Sequence, residues 1–244
     1  MKAMIFAAGL GTRLKPLTDT VPKALIPVGG KPLLQHVIEK LKNSGVDEII
    51  INVHHFANQI IEFIELNNSF GIRIEFSDET DELLDTGGAI KKASWFFDDG
   101  KPFLIHNVDI LSNISLDELY KYHLCEGADA TMVVSWRDTS RYLLFNKESR
   151  LSGWTNVETN EIKSPYLDIK VEDYSKYAFS GIHIFNPSLF ECFEEFGNKF
   201  SIIDFYLDIC KRKEVISFVP DNFSMVDVGK IDTLNEIEEI VSSF

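Results

Sequence analysis

Along the chain, apolar runs of strand length alternate with stretches in which apolar residues recur every three or four positions. This is the pattern of βαβ units around a largely parallel sheet. KAMIFAA (2–8), EIIINV (48–53), IRIEF (72–76), PFLIHN (102–107), ATMVVSW (130–136), YAFSGIHIF (177–185) and VISFV (215–219) read as strands. Between the first two, KPLLQHVIEKLKNSG places Leu33, Leu34, Val37, Ile38 and Leu41 on one helical face. Pro32 suits its first turn and Gly45 its C-terminal cap. SIIDFYLDICKRK and IDTLNEIEEIVSSF read as further helices, with FSMVDVG before the last. Residues 140–176 break the rhythm: they are polar and turn-rich, and read as hairpins and loops inserted over one end of the sheet. The expected architecture is one α/β domain over residues 1–244, with a doubly wound, mixed, mostly parallel sheet and helices on both faces. Ligands of such sheets sit at the carboxyl ends of the strands, so the informative residues are those just after each strand.

Composition supports a folded core, with 45% hydrophobic residues and 19 Phe in 244 residues. The formal charge of −14 argues against broad binding to nucleic acid or to an anionic membrane, so an anionic ligand must be drawn by local positive charge. Cys125, Cys192 and Cys210 show no CxxC spacing, which points to reduced thiols in a cytoplasmic protein without zinc or disulfides. The N-terminal apolar run stops at Gly9 and is followed by Arg13 and Lys15, so it reads as a strand rather than a signal peptide.

After the first strand comes Ala8-Gly9-Leu10-Gly11-Thr12-Arg13. The glycines allow successive N–H groups to face phosphate oxygens, although taken alone they fit a tight structural turn equally well. The spacing matches neither a dinucleotide fingerprint nor a Walker A loop. Arg13 favours an anion, because its planar fork holds two oxygens at once. Lys23 follows Pro22 in an extended stretch between apolar segments, a held position for a second phosphate contact. Asp109 and Asp227 each follow an apolar strand. Together they suit Mg²⁺, a hard cation preferring oxygen ligands; singly, each also suits a turn or helix cap. Thr86-Gly87-Gly88 precedes a helix, where the backbone can read a nucleobase edge or simply start the helix. SDETDELLD (77–85) reads as a solvated acidic loop, one of whose carboxylates can accept hydrogen bonds from guanine's ring N–H and amino group. His54 and His55, adjacent on an expected strand, point to opposite faces and cannot share a metal.

AAGLGTRLKPLT and PKALIPVGGKPLL together resemble the signature of the sugar-1-phosphate nucleotidyltransferases, the NDP-sugar pyrophosphorylases. The likeness continues through LDTGGAIKKA, FSGIHIFNPSLF and VDVG, and spans nearly the whole chain. Among subfamilies it is similar to short members such as N-acetylmuramate-1-phosphate uridylyltransferases and mannose- or heptose-1-phosphate guanylyltransferases. The resemblance implies a Rossmann-like fold in which a sugar 1-phosphate attacks the α-phosphorus of an NTP, GTP or UTP, in a Mg²⁺-dependent reaction that releases pyrophosphate. It implies that Ala8, Gly9, Gly11 and Thr12 hold the triphosphate and that Arg13 neutralises the departing pyrophosphate. Lys23 bridges the α-phosphate and the sugar phosphate, Asp109 and Asp227 hold Mg²⁺, and Thr86, Gly87 and Gly88 meet the base. Gly153, Ser180 and Gly181 are the candidates for the sugar, and a monomer or homodimer is expected.

Two features depart from the family pattern. Val108 stands where Gly usually precedes the aspartate, which puts a branched side chain beside the nucleotide, and the common Glu-Lys-Pro motif is replaced by NEIKSP. The competing readings are a catalytically silent homologue that binds nucleotide or sugar phosphate, motivated by Val108, and a phosphocholine cytidylyltransferase-like enzyme. The latter needs aromatic faces for the choline cation.

Overall fold

A computed structural model describes residues 1–229, and the expected helix over 231–244 lies outside the described residues. In chain order the elements are β1 (Lys2–Phe6), β2 (Pro27–Val28), β3 (Lys31–Pro32), α1 (Leu33–Asn43), β4 (Glu48–Val53), α2 (Ala57–Leu66), β5 (Arg73–Asp78), α3 (Asp85–Lys92), β6 (Phe103–Asn107) and β7 (Ile110–Ser112). They continue with α4 (Leu116–Glu126), β8 (Ala130–Ser135), β9 (Arg141–Phe145), β10 (Leu151–Asn156), β11 (Glu161–Lys163), β12 (Ser175–Phe185), α5 (Ile202–Ile209), β13 (Val215–Phe218) and β14 (Met225–Asp227).

The main sheet runs β11-β10-β9-β12-β6-β1-β4-β5, with β8 on β12 and β13 on β8. Its β6-β1-β4-β5 half is parallel throughout, while β12 and the β9–β11 insertion add antiparallel strands. Period-two alternation places Ala3, Ile5, Ile49, Ile51 and Leu104 in one apolar layer with α1, α2 and α4. Met4, Ile50, Phe103 and Ile105 fill the other layer with α3 and α5. The mixed, doubly wound α/β sheet expected from the sequence is therefore present, with helices on both faces.

Element ends differ from the sequence reading where a polar partner diverts the backbone. β1 stops at Phe6 because the Ala7 N–H donates to the Asn52 side chain at 2.7 Å instead of joining the ladder. His54 and His55 lie beyond β4, which ends at Val53, and His54 Nδ1 is 2.5 Å from the Glu79 carbonyl oxygen. β14 leaves the main sheet and pairs antiparallel with β7. Helix α1 ends as expected, with Gly45 at φ 79° just past it.

Burial holds three histidines neutral: His106 and His123 are pushed down to about 4 and His183 to about 3, from an ordinary 6.5. The unfolded chain therefore binds protons first, and stability is full above about pH 6.5 and lost progressively as the pH falls toward 4. Urea midpoints measured from pH 7.5 to 4.5 should drop monotonically below pH 6.5; a flat profile would show that these histidines are not held neutral.

Candidate functional site

The carboxyl ends of β1, β4, β5 and β6 open onto a cavity of about 420 Å³. Its near wall is the loop after β1. Gly11 is left-handed at φ 62°, and its carbonyl accepts from Leu14 N and Thr18 Oγ1, both at 2.9 Å. A Cβ at Gly11 would stand 2.8 Å from Thr18 Cγ2, so only glycine closes this turn. The turn drives Leu14 into the core and leaves Gly9, Thr12 and Arg13 exposed along the cavity, with Ala8 behind them.

Lys23 opens a single 3-10 turn after the extended Pro22 and is only 9% exposed. Its ammonium forms a close ion pair with the Asp109 carboxylate. Asp109 stands in the turn between β6 and β7, pinned where Val108 N donates to Phe6 O at 3.1 Å and Val228 N to Asp109 O at 2.8 Å. β14 lies in register with β7, which brings Asp227 opposite Ile110 and so beside Asp109. Loss of water, then the adjacent Asp109 charge, pushes the Asp227 carboxyl above its usual range, against the pull of Lys23, Arg137 and Arg13. A Cβ at Gly229 would lie 2.8 Å from Asp227 Oδ1 and 3.5 Å from Arg13 Nη2, so both side chains converge on that glycine. Residues from three distant stretches of chain thus gather as two carboxylates, a lysine and an arginine.

Not every expected residue reaches the cavity. Thr86 borders it, and its Oγ1 accepts from Ile202 N at 2.9 Å, capping α5. Gly87 and Gly88 lie inside α3, and their N–H groups already donate to Phe200 O at 2.9 and 3.2 Å. The expected reading of a base edge by these amides is therefore corrected: they hold the 198–200 segment. A Cβ on Gly88 would stand 2.1 Å from Asn198 O. Gly153 is enclosed in β10 against Ile169 and Leu144, and Ser180 is buried with its hydroxyl unpaired. Gly181, left-handed at φ 72°, abuts Asn107. None of these three lines the cavity.

Val108 is 5% exposed, shares the apolar layer under the sheet and forms part of the cavity wall. Its side chain is therefore mostly taken up by packing.

Among the cavity residues that the sequence reading did not single out are Glu79 and Lys199. Glu79, inside the run read as solvated, is wholly buried; its carboxyl accepts from Asn52 Nδ2 at 2.8 Å and Leu84 N at 3.0 Å. Its place one residue after β5 is the signal that could have found it. Lys199 lines the cavity from the segment clamped on α3, and nothing local in the sequence marks it.

The family model described as nucleotidyl transferase matches residues 2–243. A mannose-1-phosphate guanyltransferase of Gibberella zeae is 34% identical over 197 residues, covering 80% of this chain and 52% of that protein. The one from Saccharomyces cerevisiae is 30% identical over 233 residues, covering 94% and 62%. The chain thus spans between half and two thirds of the length of these curated relatives. Among solved structures, HddC from Yersinia pseudotuberculosis complexed with GMP-PN superposes with a TM-score of 0.76 at 24% identity, over 98% of this chain and 99% of that one. An inositol-1-phosphate CTP transferase from T. maritima gives 0.76 at 18%, over 99% and 94%. These structural likenesses establish the fold.

Two glycines of the site separate packing from freedom. Gly88→Ala should destabilise by about 2–3 kcal/mol in urea unfolding, because Asn198 O is backbone and cannot swing away. Gly9→Ala, with nothing within 4 Å of its Cβ position, should stay within about 0.5 kcal/mol. Equal effects at the two positions would refute the clamp.

Proposed function

We propose that this chain, which belongs to the nucleotidyl transferase family, transfers a nucleotidyl group from an NTP to a sugar 1-phosphate, giving an NDP-sugar and pyrophosphate. The observation that carries this reading is the convergence of Arg13 and Lys23 from the loop after β1 with Asp109 and Asp227 at strand ends, beside an open glycine turn. In the reaction an oxygen of the sugar phosphate forms a bond to the α-phosphorus. The bond from that phosphorus to the β-bridging oxygen breaks, and pyrophosphate leaves with the electron pair. Such transfer depends on positioning and charge neutralisation more than on covalent help from the protein.

The N–H groups around Gly9 and Gly11 face the triphosphate, and Arg13 meets the oxygens that gain charge on the leaving group. Lys23, held beside Asp109, aligns the α-phosphate with the incoming phosphate. Asp109 and Asp227 fit Mg²⁺: they are hard oxygen donors brought together without a full protein cage, since no group of three His, Cys, Asp or Glu side chains forms among the described residues. Bound there, Mg²⁺ would neutralise phosphate charge.

The relatives' names, which specify mannose 1-phosphate and a guanylyl group, support GTP as the nucleotide and mannose 1-phosphate as the acceptor. A choline acceptor is disfavoured. The aromatic patch at Trp136, Tyr142 and Tyr174 carries Lys176 5.9 Å above the Tyr142 ring and Arg137 in the same wall, so it repels a cation. No helix among the described residues is long and apolar enough to cross a membrane, and three free thiols are consistent with a cytoplasmic setting.

Pyrophosphate release with Mg²⁺ across a grid of NTPs and sugar 1-phosphates tests the reading. Asp109→Asn should abolish release from the active pair with the fold intact, and normal turnover in that variant would remove Asp109 from the reaction. Arg13→Ala should lose about 2 kcal/mol of transition-state stabilisation, roughly thirtyfold in kcat/KM.

A further inference from the structure

The cavity at the strand ends has a second end. Sheet order β6-β1-β4-β5 carries it from Asp109, past the glycine turn after β1, to Asn52 near the end of β4 and to Glu79, Leu83 and Asp85 beyond β5. Three strand spacings separate β6 from β5, about 14 Å at about 4.8 Å each. With the triphosphate at the glycine turn, the β5 end is left for the base, and Leu83 supplies an apolar wall there. The Gly87 and Gly88 amides are engaged with Phe200 O, so side chains must read the base edge.

Among the carboxylates of residues 77–85, those of Glu79 and Asp85 line the cavity. Glu79 is wholly buried with both oxygens engaged, by Asn52 Nδ2 and Leu84 N. Asp85 is exposed. Its two hydrogen bonds both go to Oδ1, from Thr86 N at 2.6 Å and Thr86 Oγ1 at 3.4 Å, so Oδ2 has no partner among the described residues. The Asp85 backbone is left-handed at φ 60°, a conformation strained for a residue with a Cβ and free for glycine. A side chain held at that cost on a cavity wall points to a use for its carboxylate.

Lys199 lines the same end of the cavity from the segment docked on α3. Neither Lys199 nor Asp85 forms an ion pair among the described residues, with each other or with any other group. An anion and a cation on one wall, each without a protein partner, match a ligand edge that carries donors beside an acceptor.

We propose that Asp85 and Lys199 select guanine, with Asp85 accepting from its ring N–H and amino group while Lys199 donates to the adjacent carbonyl oxygen. The inference rests on the transferase reading and names the base-specificity residues of that same site. On its pairing edge guanine presents two donors and then an acceptor. Uracil presents one donor between two acceptors, and cytosine and adenine present an amino donor beside a ring acceptor. A carboxylate offers about four lone-pair sites, so the bonds from Thr86 leave room for both guanine donors.

The test is calorimetric titration of the full chain with GTP, ITP and UTP in Mg²⁺ and without any sugar phosphate, so that binding is read apart from turnover. ITP differs from GTP only in lacking the amino group. GTP should bind at least about tenfold more tightly than ITP or UTP, the scale of one hydrogen bond to a charged group. Asp85→Gly, which also relieves the left-handed strain, should bring the GTP-to-ITP ratio close to one while melting no lower than the parent, and Asp85→Asn should lower the ratio as well. Lys199→Met should weaken GTP and ITP alike, about tenfold, and leave their ratio in place, because both keep the carbonyl oxygen. No binding of GTP, equal binding of GTP and ITP, tighter binding of UTP, a ratio untouched by both Asp85 variants, or GTP binding unchanged in Lys199→Met would each overturn the proposal. Pyrophosphate release indifferent to the base would also overturn it and leave the transferase reading standing. Guanine-selective binding without pyrophosphate release from any sugar 1-phosphate would leave the base site standing and sink the transferase reading instead.

Discussion

The site is built on a carboxyl group removed from water. Glu79 is fully buried, and burying such a group costs several kcal/mol unless its oxygens are hydrogen-bonded. Asn52 supplies one bond through its amide nitrogen while its oxygen accepts from Ala7 N, and Leu84 N supplies the other. One connected set of bonds thus fixes the carboxyl ends of β1, β4 and β5 and the approach to α3. Because Ala7 is drawn to Asn52, the chain leaves the sheet there, and the glycine turn at Gly9–Gly11 follows in the space this opens. Moving the Asn52 side chain would leave the Glu79 carboxyl short of a donor and the Ala7 N–H without its acceptor, so these groups can only shift together.

A second constraint recruits a distant part of the chain. Phe200 O accepts from both Gly87 and Gly88, and Lys91 one turn further donates to the carbonyls of Phe193, Phe196 and Gly197 at 3.0, 2.8 and 3.3 Å. Behind these bonds, Phe193, Phe196, Phe200 and Phe205 pack ring against ring at 4.6–6.2 Å. The helix start therefore serves as a dock for residues 193–200, and that docking delivers Lys199 to the cavity rim. The glycines are glycine for contact with protein.

What was legible in the sequence follows from these two facts. Strands and helices whose identity depends on local periodicity, such as β4 and α1, lie where the apolar pattern puts them. Asp109 and Asp227, at strand ends, are recognisable because topology gathers strand ends in one crevice, while Arg13 and Lys23, inside the long loop after β1, are marked by the glycines and prolines around them. Gly87 and Gly88 were misread because a tight backbone approach does not reveal what approaches. Glu79 was passed over because an acidic run reads as solvent-facing until a buried amide is known to face it.

Charge placement resolves the contrast between a chain of net −14 and the anionic substrates proposed for it. A strongly acidic protein repels triphosphates at long range, so attraction must come from cations close to the phosphates and only partly screened by water. Lys23 meets that condition: its stem is buried and its ammonium rests on Asp109. The pair also spares Asp109 from facing Asp227 uncompensated, where burial first and the Asp109 charge second raise the Asp227 carboxyl. In the proposed reaction, phosphate would take up the Lys23 charge as a divalent cation took over the carboxylates. Each charge is then matched in both states, and neither state strands an ion in the crevice. Separate arrival is less favourable: the cation alone would displace Lys23 from its partner, and phosphate alone would leave the two aspartates facing added negative charge. In the proposed reaction, that coupling favours the nucleotide and its metal binding as one unit.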